Sequence, residues 1–131
     1  MNKTQSFISI WKYPILYACL ILLLTSIPRN KFYDEAEKGI PGEDKTLHVI
    51  AYIFLGMSTL KSAFIRTDFF KAILLALFST SLFAAFDELH QIFIPGRFCK
   101  SDDALANIAG IVVGIIFGIV VYKIRKGIHE K

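Results

Sequence analysis

Four stretches of the chain are apolar for about the length of a helix, and charged segments separate them. The first runs from about Phe7 to Ile27 and stops at Pro28. The others run over about 46–65, 69–91 and 104–122. Each approaches the roughly 20 residues that cross a hydrocarbon layer. Inside a bilayer every backbone N–H and C=O must find an internal partner, so these stretches are read as helices. The pattern predicts an all-α membrane protein: a bundle of four transmembrane helices forming one domain over 1–131. Only three residues separate the second stretch from the third, which makes those two a helical hairpin with its turn at Arg66–Asp68. The other two connections, 28–45 and 92–103, are longer.

Composition sharpens this picture. Of 131 residues, 54% are hydrophobic and 20% are charged, and the mean hydropathy is +0.52. An average soluble domain carries about a quarter charged residues. These values exclude a disordered tail, a secreted disulfide scaffold and an ordinary soluble enzyme. The net charge of +4 does not mark a nucleic-acid binder, because no basic face with interleaved aromatics accompanies it. Cys19 lies in mid-span and Cys99 in a polar loop, so no intramolecular disulfide is expected, and neither spacing resembles a zinc site. The first apolar run is not followed by a small-residue cleavage site and is expected to stay as an anchor.

Lysine and arginine set the orientation. With the N-terminus in the cytoplasm, nine basic residues fall inside (Lys3, Lys12, Lys61, Arg66, Lys71, Lys123, Arg125, Lys126, Lys131) and six outside. Lys12, Lys61, Lys71 and Lys123 stand at span ends on the same side, where their stems can snorkel to one interface. Trp11, Tyr13 and Tyr122 join them as an aromatic belt. Both termini are therefore expected in the cytoplasm.

The candidate chemistry collects at the opposite, outer ends of spans two, three and four. Asp44, His48 and Tyr52 are spaced i, i+4, i+8 and share a helix face. The plainer reading makes Asp44 a helix cap and His48 an interfacial residue. Asp87 and Glu88 sit at the C-terminal end of an apolar helix, where the dipole disfavours acids. They are about 100° apart around the helix, so both can border one cleft without pointing the same way. Gln91 lies one turn on. Pro95-Gly96 makes a turn, and Arg97 then brings a fixed charge, either to neutralise Asp87 or Glu88 or to recognise a phosphate or carboxylate. In Ser101-Asp102-Asp103, Ser101 reads as an N-cap, and Asn107 lies one turn inside. Ala106, Gly110, Gly114 and Gly118 form a small-residue stripe for close helix packing. The first span is expected only to pack. A polar, water-accessible pocket at the outer leaflet is the expected result.

Taken in order, Gly42-Glu43-Asp44-Lys45-x-x-His48-x-x-x-Tyr52, Asp87-Glu88-x-x-Gln91-x-x-x-Pro95-Gly96-Arg97 and Asp103-x-x-x-Asn107-x-x-Gly110-x-x-x-Gly114 resemble the VanZ-like family over about 41–118. The resemblance implies a small multi-pass bacterial membrane protein, associated with low-level resistance to the lipoglycopeptide teicoplanin. It singles out Asp44, Lys45, His48, Tyr52, Asp87, Glu88, Gln91, Pro95, Arg97, Asp103 and Asn107. His90 and Asp102 fall outside its pattern. The family name supplies no reaction.

Asp44, His48, Asp87 and Glu88 are the candidates for acid–base catalysis. Lys45, Tyr52, Gln91, Arg97, Asp103 and Asn107 are the candidates for substrate binding. Three readings compete. One is an enzyme acting on a lipid-linked envelope substrate. Another is a binder of a membrane lipid, a lipid-linked envelope precursor or the lipoglycopeptide itself. The third is a small proton-coupled transporter, against which the clustering of charge at one end argues. His48, Asp87 and Glu88 are residue types that can hold a metal, but their spacing is not diagnostic. The residues identify no cofactor and leave open whether the chain is an enzyme.

Overall fold

The computed structural model describes residues 6–28, 43–97 and 101–129, with the side chains of Glu43, Asp44 and His129 outside that description. Four helices run in chain order: α1 (Phe7–Thr25), α2 (Glu43–Ala63), α3 (Phe69–Gln91) and α4 (Ser101–His129). No strand occurs among the described residues. Successive helices run antiparallel, so α1 and α3 end where α2 and α4 begin. That end carries the candidate residues and is called here the network end.

Three helices, α1, α3 and α4, are long and apolar enough to cross a membrane. The sequence pattern predicts four. The helix that falls short, α2, has 21 residues and carries His48, Ser58, Thr59 and Ser62, all buried. It packs against each of the other three helices. A helix faced by protein on most sides does not need a uniformly apolar surface, and this lowers its hydropathy. The predicted boundaries shift accordingly. Asp44 stands in the first turn of α2 and not before it, and α4 begins at Ser101 itself, so its capping position lies outside the described residues. Past the expected end at 122, α4 continues through Lys123, Arg125 and Lys126. Its 29 residues span about 43 Å, well beyond a hydrocarbon layer of about 30 Å.

The α2–α4 pair is the tightest contact. A Cβ placed on Gly114 would meet the carbonyl oxygen of Ile53, and one on Gly110 the carbonyl oxygen of Val49. Gly56 of α2 faces Ile111 in the same way. The glycine stripe therefore joins two helices of one chain, as its packing role requires. On α3 a second small-residue row, Ala72, Ala76, Thr80 and Ala84, is buried. The sequence pattern does not mark it out. At the far end Phe64, Phe69 and Tyr122 pack together, with the Phe64 and Tyr122 rings stacked 4.1 Å apart. The α2–α3 turn is short, as expected. Asp68 caps α3 through the Lys71 amide (3.0 Å) and pairs with the Lys71 ammonium (2.9 Å).

Candidate functional site

Asp87 and Glu88 follow one another on α3, and the helix turn sends them to different neighbours. Asp87 is fully buried and points toward α1 and α2. Thr25 donates to its Oδ1 at 2.7 Å, and Tyr52 and Gln91 donate to its Oδ2 at 3.2 and 3.4 Å. Glu88 points toward α4, where Asn107 Nδ2 donates to its Oε1 at 2.7 Å. Its Oε2 is buried without a hydrogen-bond partner. Each carboxylate is therefore bound to side chains of other helices. Such partners offset the cost of burying a charge only when they reach its oxygens.

Asn107 passes this order on to His48. Its Nδ2 serves Glu88, so its Oδ1 faces His48 Nδ1, 2.9 Å away. An amide oxygen only accepts, so Nδ1 is the nitrogen that carries the proton in this bond. Both residues are buried. Asp103, buried in the first turn of α4, stands in the same region. Lys45 and Asp102 bridge α2 and α4 at the surface, 2.7 Å apart.

Arg97 arrives through a type II turn. Its N–H bonds the carbonyl of Ile94 at 3.1 Å, and Gly96 takes φ 78°, the left-handed value that position requires. The turn directs the guanidinium at the end of α1. Nε donates to Ile27 O at 3.0 Å, Nη2 to Leu24 O at 2.9 Å and Nη1 to Gln91 Oε1 at 3.4 Å. The carbonyls at a helix end lack intrahelical donors, and Arg97 supplies donors to them.

Nine of the ten candidate residues have described side chains, and eight of these (His48, Tyr52, Asp87, Glu88, Gln91, Arg97, Asn107 and Lys45) make the bonds above. Asp103 is placed beside them by burial alone. The tenth, Asp44, lies outside the description, as does Cys99; Cys19 is a free thiol on an exposed face of α1. Thr25 was missed, and with it the part α1 plays in the site. Its only sequence signal is a threonine at the end of an apolar run. His90 is half-buried against the Phe86 ring, and its Nδ1 has no hydrogen-bond partner. Among the described residues no three His, Cys, Asp or Glu side chains come together as a metal site.

The expected polar pocket takes another form. A cavity of about 530 Å³ lies between α1 and α2 with mostly apolar walls, including Leu20, Ile21, Ile50 and Phe54. Thr25, His48, Tyr52 and Arg97 also line it, whereas Asp87, Glu88 and Asp103 do not. Asp87 and Glu88 are turned toward their partners inside the bundle, which leaves hydrocarbon to form most of the wall.

No curated protein and no solved structure matches the chain. The family model described as VanZ/LLP1 matches residues 11–122, a range that holds every bond of the network, and the chain belongs to that family.

Proposed function

We propose that the chain is a multi-pass protein of the bacterial cell membrane, with four spans in one domain and both termini in the cytoplasm. Its network end faces the outside and engages a membrane lipid or a lipid-linked envelope precursor. By the family's association, this engagement lowers susceptibility to teicoplanin. One observation carries the reading: a buried acid–amide–imidazole network stands beside an apolar cavity, the pairing of polar and hydrocarbon surfaces that an envelope amphiphile needs. The test is a susceptibility assay in a host lacking the protein, comparing teicoplanin with vancomycin for wild type and Glu88→Gln at equal membrane levels. Protection against teicoplanin that vanishes in the variant is the expected result. No protection by the wild type overturns the resistance reading.

The Glu88–Asn107–His48 chain favours a second reading. A carboxylate that orients an amide, which in turn fixes the imidazole tautomer, is an arrangement suited to a general base. The chain would then be a hydrolase or transferase of the same lipid-linked substrate. Profiling of lipid-linked precursors separates the two: a binder leaves their chemistry unchanged, whereas an enzyme alters it and loses the effect with Glu88→Gln.

A further inference from the structure

We infer that the α1–α2 cavity is a hydrocarbon-chain site opening sideways into the bilayer, and that its occupant is a membrane amphiphile with one chain in the groove and an anionic head beside Arg97. This rests on the reading that the network end meets an envelope amphiphile, and it names the class and the route of entry. Leu20, Leu24, Ile50 and Phe54 line the cavity and are also 43–52% exposed on the outer surface of the bundle. In a bilayer that exposed surface is in hydrocarbon, so the groove is continuous with the lipid phase. Tyr17 and Phe54 line it too and stack at 5.9 Å. Tyr17 stands eight residues before Thr25, about 12 Å along the helix. The groove thus runs from polar residues at the network end to stacked aromatic rings deeper in the bundle.

Its volume falls within the range of small-molecule pockets, about 300–1,000 Å³. Its polarity is one-sided, which orients an amphiphile. Arg97 is the fixed charge among the lining residues. Among the described residues, the acid Asp87 stands behind the wall with both oxygens engaged by Thr25, Tyr52 and Gln91. Among the described lining residues the charge is therefore that of Arg97, which also donates to Ile27 O, Leu24 O and Gln91 Oε1, and a guanidinium suits phosphate or carboxylate oxygens. Side-on entry also fits how α1 is held. Near its two ends it is fastened by Ser62 to Ile10 O and by Thr25 to Asp87, and the cavity begins between these ties.

The full chain in phosphatidylcholine nanodiscs, labelled with a diazirine analogue of dodecyl phosphate, tests this. Labelling is expected on the Tyr17–Leu24 and Ile50–Phe54 segments. Dodecyl phosphate and dodecanoate are expected to compete about tenfold better than dodecanol, and inorganic phosphate not at all. Leu20→Trp, which fills the groove away from the network, is expected to abolish labelling, with folding checked by circular dichroism. Labelling spread evenly over the lipid face of α4, or unchanged in Leu20→Trp, overturns the groove. Equal competition by dodecanol overturns the anionic head, and competition by inorganic phosphate overturns a bilayer source. The labelling reads the groove in purified protein and the susceptibility assay reads the cell, so the two readings fail separately.

Discussion

The Ser62 hydroxyl donates to the carbonyl of Ile10 at 2.8 Å, and that carbonyl is the one Pro14 leaves without its helical donor. A helix bonds the N–H of each residue to the carbonyl four before it, and proline has no N–H. Pro14 stands inside α1, so Ile10 O needs a partner from elsewhere, which α2 provides. Ile10 and Ser62 are both buried, so water does not substitute. Ser62→Ala is therefore expected to destabilise the protein by about 1 kcal/mol. Pro14→Ala restores the missing N–H, so in its background Ser62→Ala should cost much less. A double-mutant cycle of unfolding in detergent measures the coupling. Equal costs in both backgrounds would show that Ser62 does not serve this carbonyl.

At the α2–α4 crossing the constraint is space. Gly114→Ala places a methyl group against the carbonyl of Ile53, so the two helices must separate. A loss of about 1–3 kcal/mol is expected. Gly127→Ala meets nothing within 4 Å and serves as the control. Thermal unfolding of the two variants in the same detergent checks the difference.

Much of this architecture is legible in the residues. Apolar length marks α1, α3 and α4, and the i, i+4, i+8 spacing places His48 and Tyr52 on one buried face. The 100° step between Asp87 and Glu88 anticipates their division between two sets of partners. Thr25 and Ser62 were not legible. A hydroxyl in an apolar run usually bonds its own helix, as Thr80 does with Ala76 O at 2.6 Å and as Thr25 also does with Ile21 O at 3.0 Å, and nothing local distinguishes one that reaches across as well. The apolar character of the cavity was not legible either. The sequence shows which residues are polar, but only their mutual bonding decides which surface is left for the groove.

Thr25 makes α1 part of the site, and this can be tested directly. Thr25→Val keeps the shape and removes the donor to Asp87 Oδ1, leaving a buried carboxylate oxygen without that bond. The expected cost is about 1–3 kcal/mol. Thr25→Ser restores the hydroxyl and should recover most of it. Denaturation of the three proteins in one detergent decides the matter, and equal losses in the two variants would assign the effect to packing of the threonine methyl.

The α2–α3 turn carries a separate pH dependence. The side-chain and backbone bonds from Lys71 hold the Asp68 carboxyl below its ordinary value. A carboxylate with a lowered pKa in the folded state stabilises above its unfolded pKa and loses that contribution as pH falls through the folded value. Asp68 is fully exposed, so the effect is small and screened by salt. Asp68→Asn should flatten the acid limb of the unfolding curve at low ionic strength, with little change at neutral pH. An unchanged acid limb would remove Asp68 from the account.

The assignment of Nδ1 as the protonated nitrogen of His48 rests on Asn107 alone among the bonds described, which makes it open to spectroscopy. Asn107 Oδ1 can only accept, and it is held toward His48 because Nδ2 is committed to Glu88. Nitrogen-15 spectra of the protein in lipid should show a proton on His48 Nδ1, held in the bond to Asn107 Oδ1. Asn107→Leu removes the acceptor and should let the ring populate the Nε2–H form that free imidazole side chains favour. Asn107→Asp keeps an acceptor toward His48 but sets a carboxylate against Glu88, so it should hold the tautomer while destabilising the fold. Glu88→Gln gives the finer test. Its amide can rotate to present an oxygen to Asn107, so the Asn107 orientation and the proton on His48 Nδ1 should both survive while the carboxyl group is lost. If teicoplanin protection disappears in Glu88→Gln with the tautomer unchanged, the carboxyl group of Glu88 matters in itself. If the tautomer changes as well, Glu88 acts by positioning Asn107, and His48 becomes the group whose chemistry the site protects.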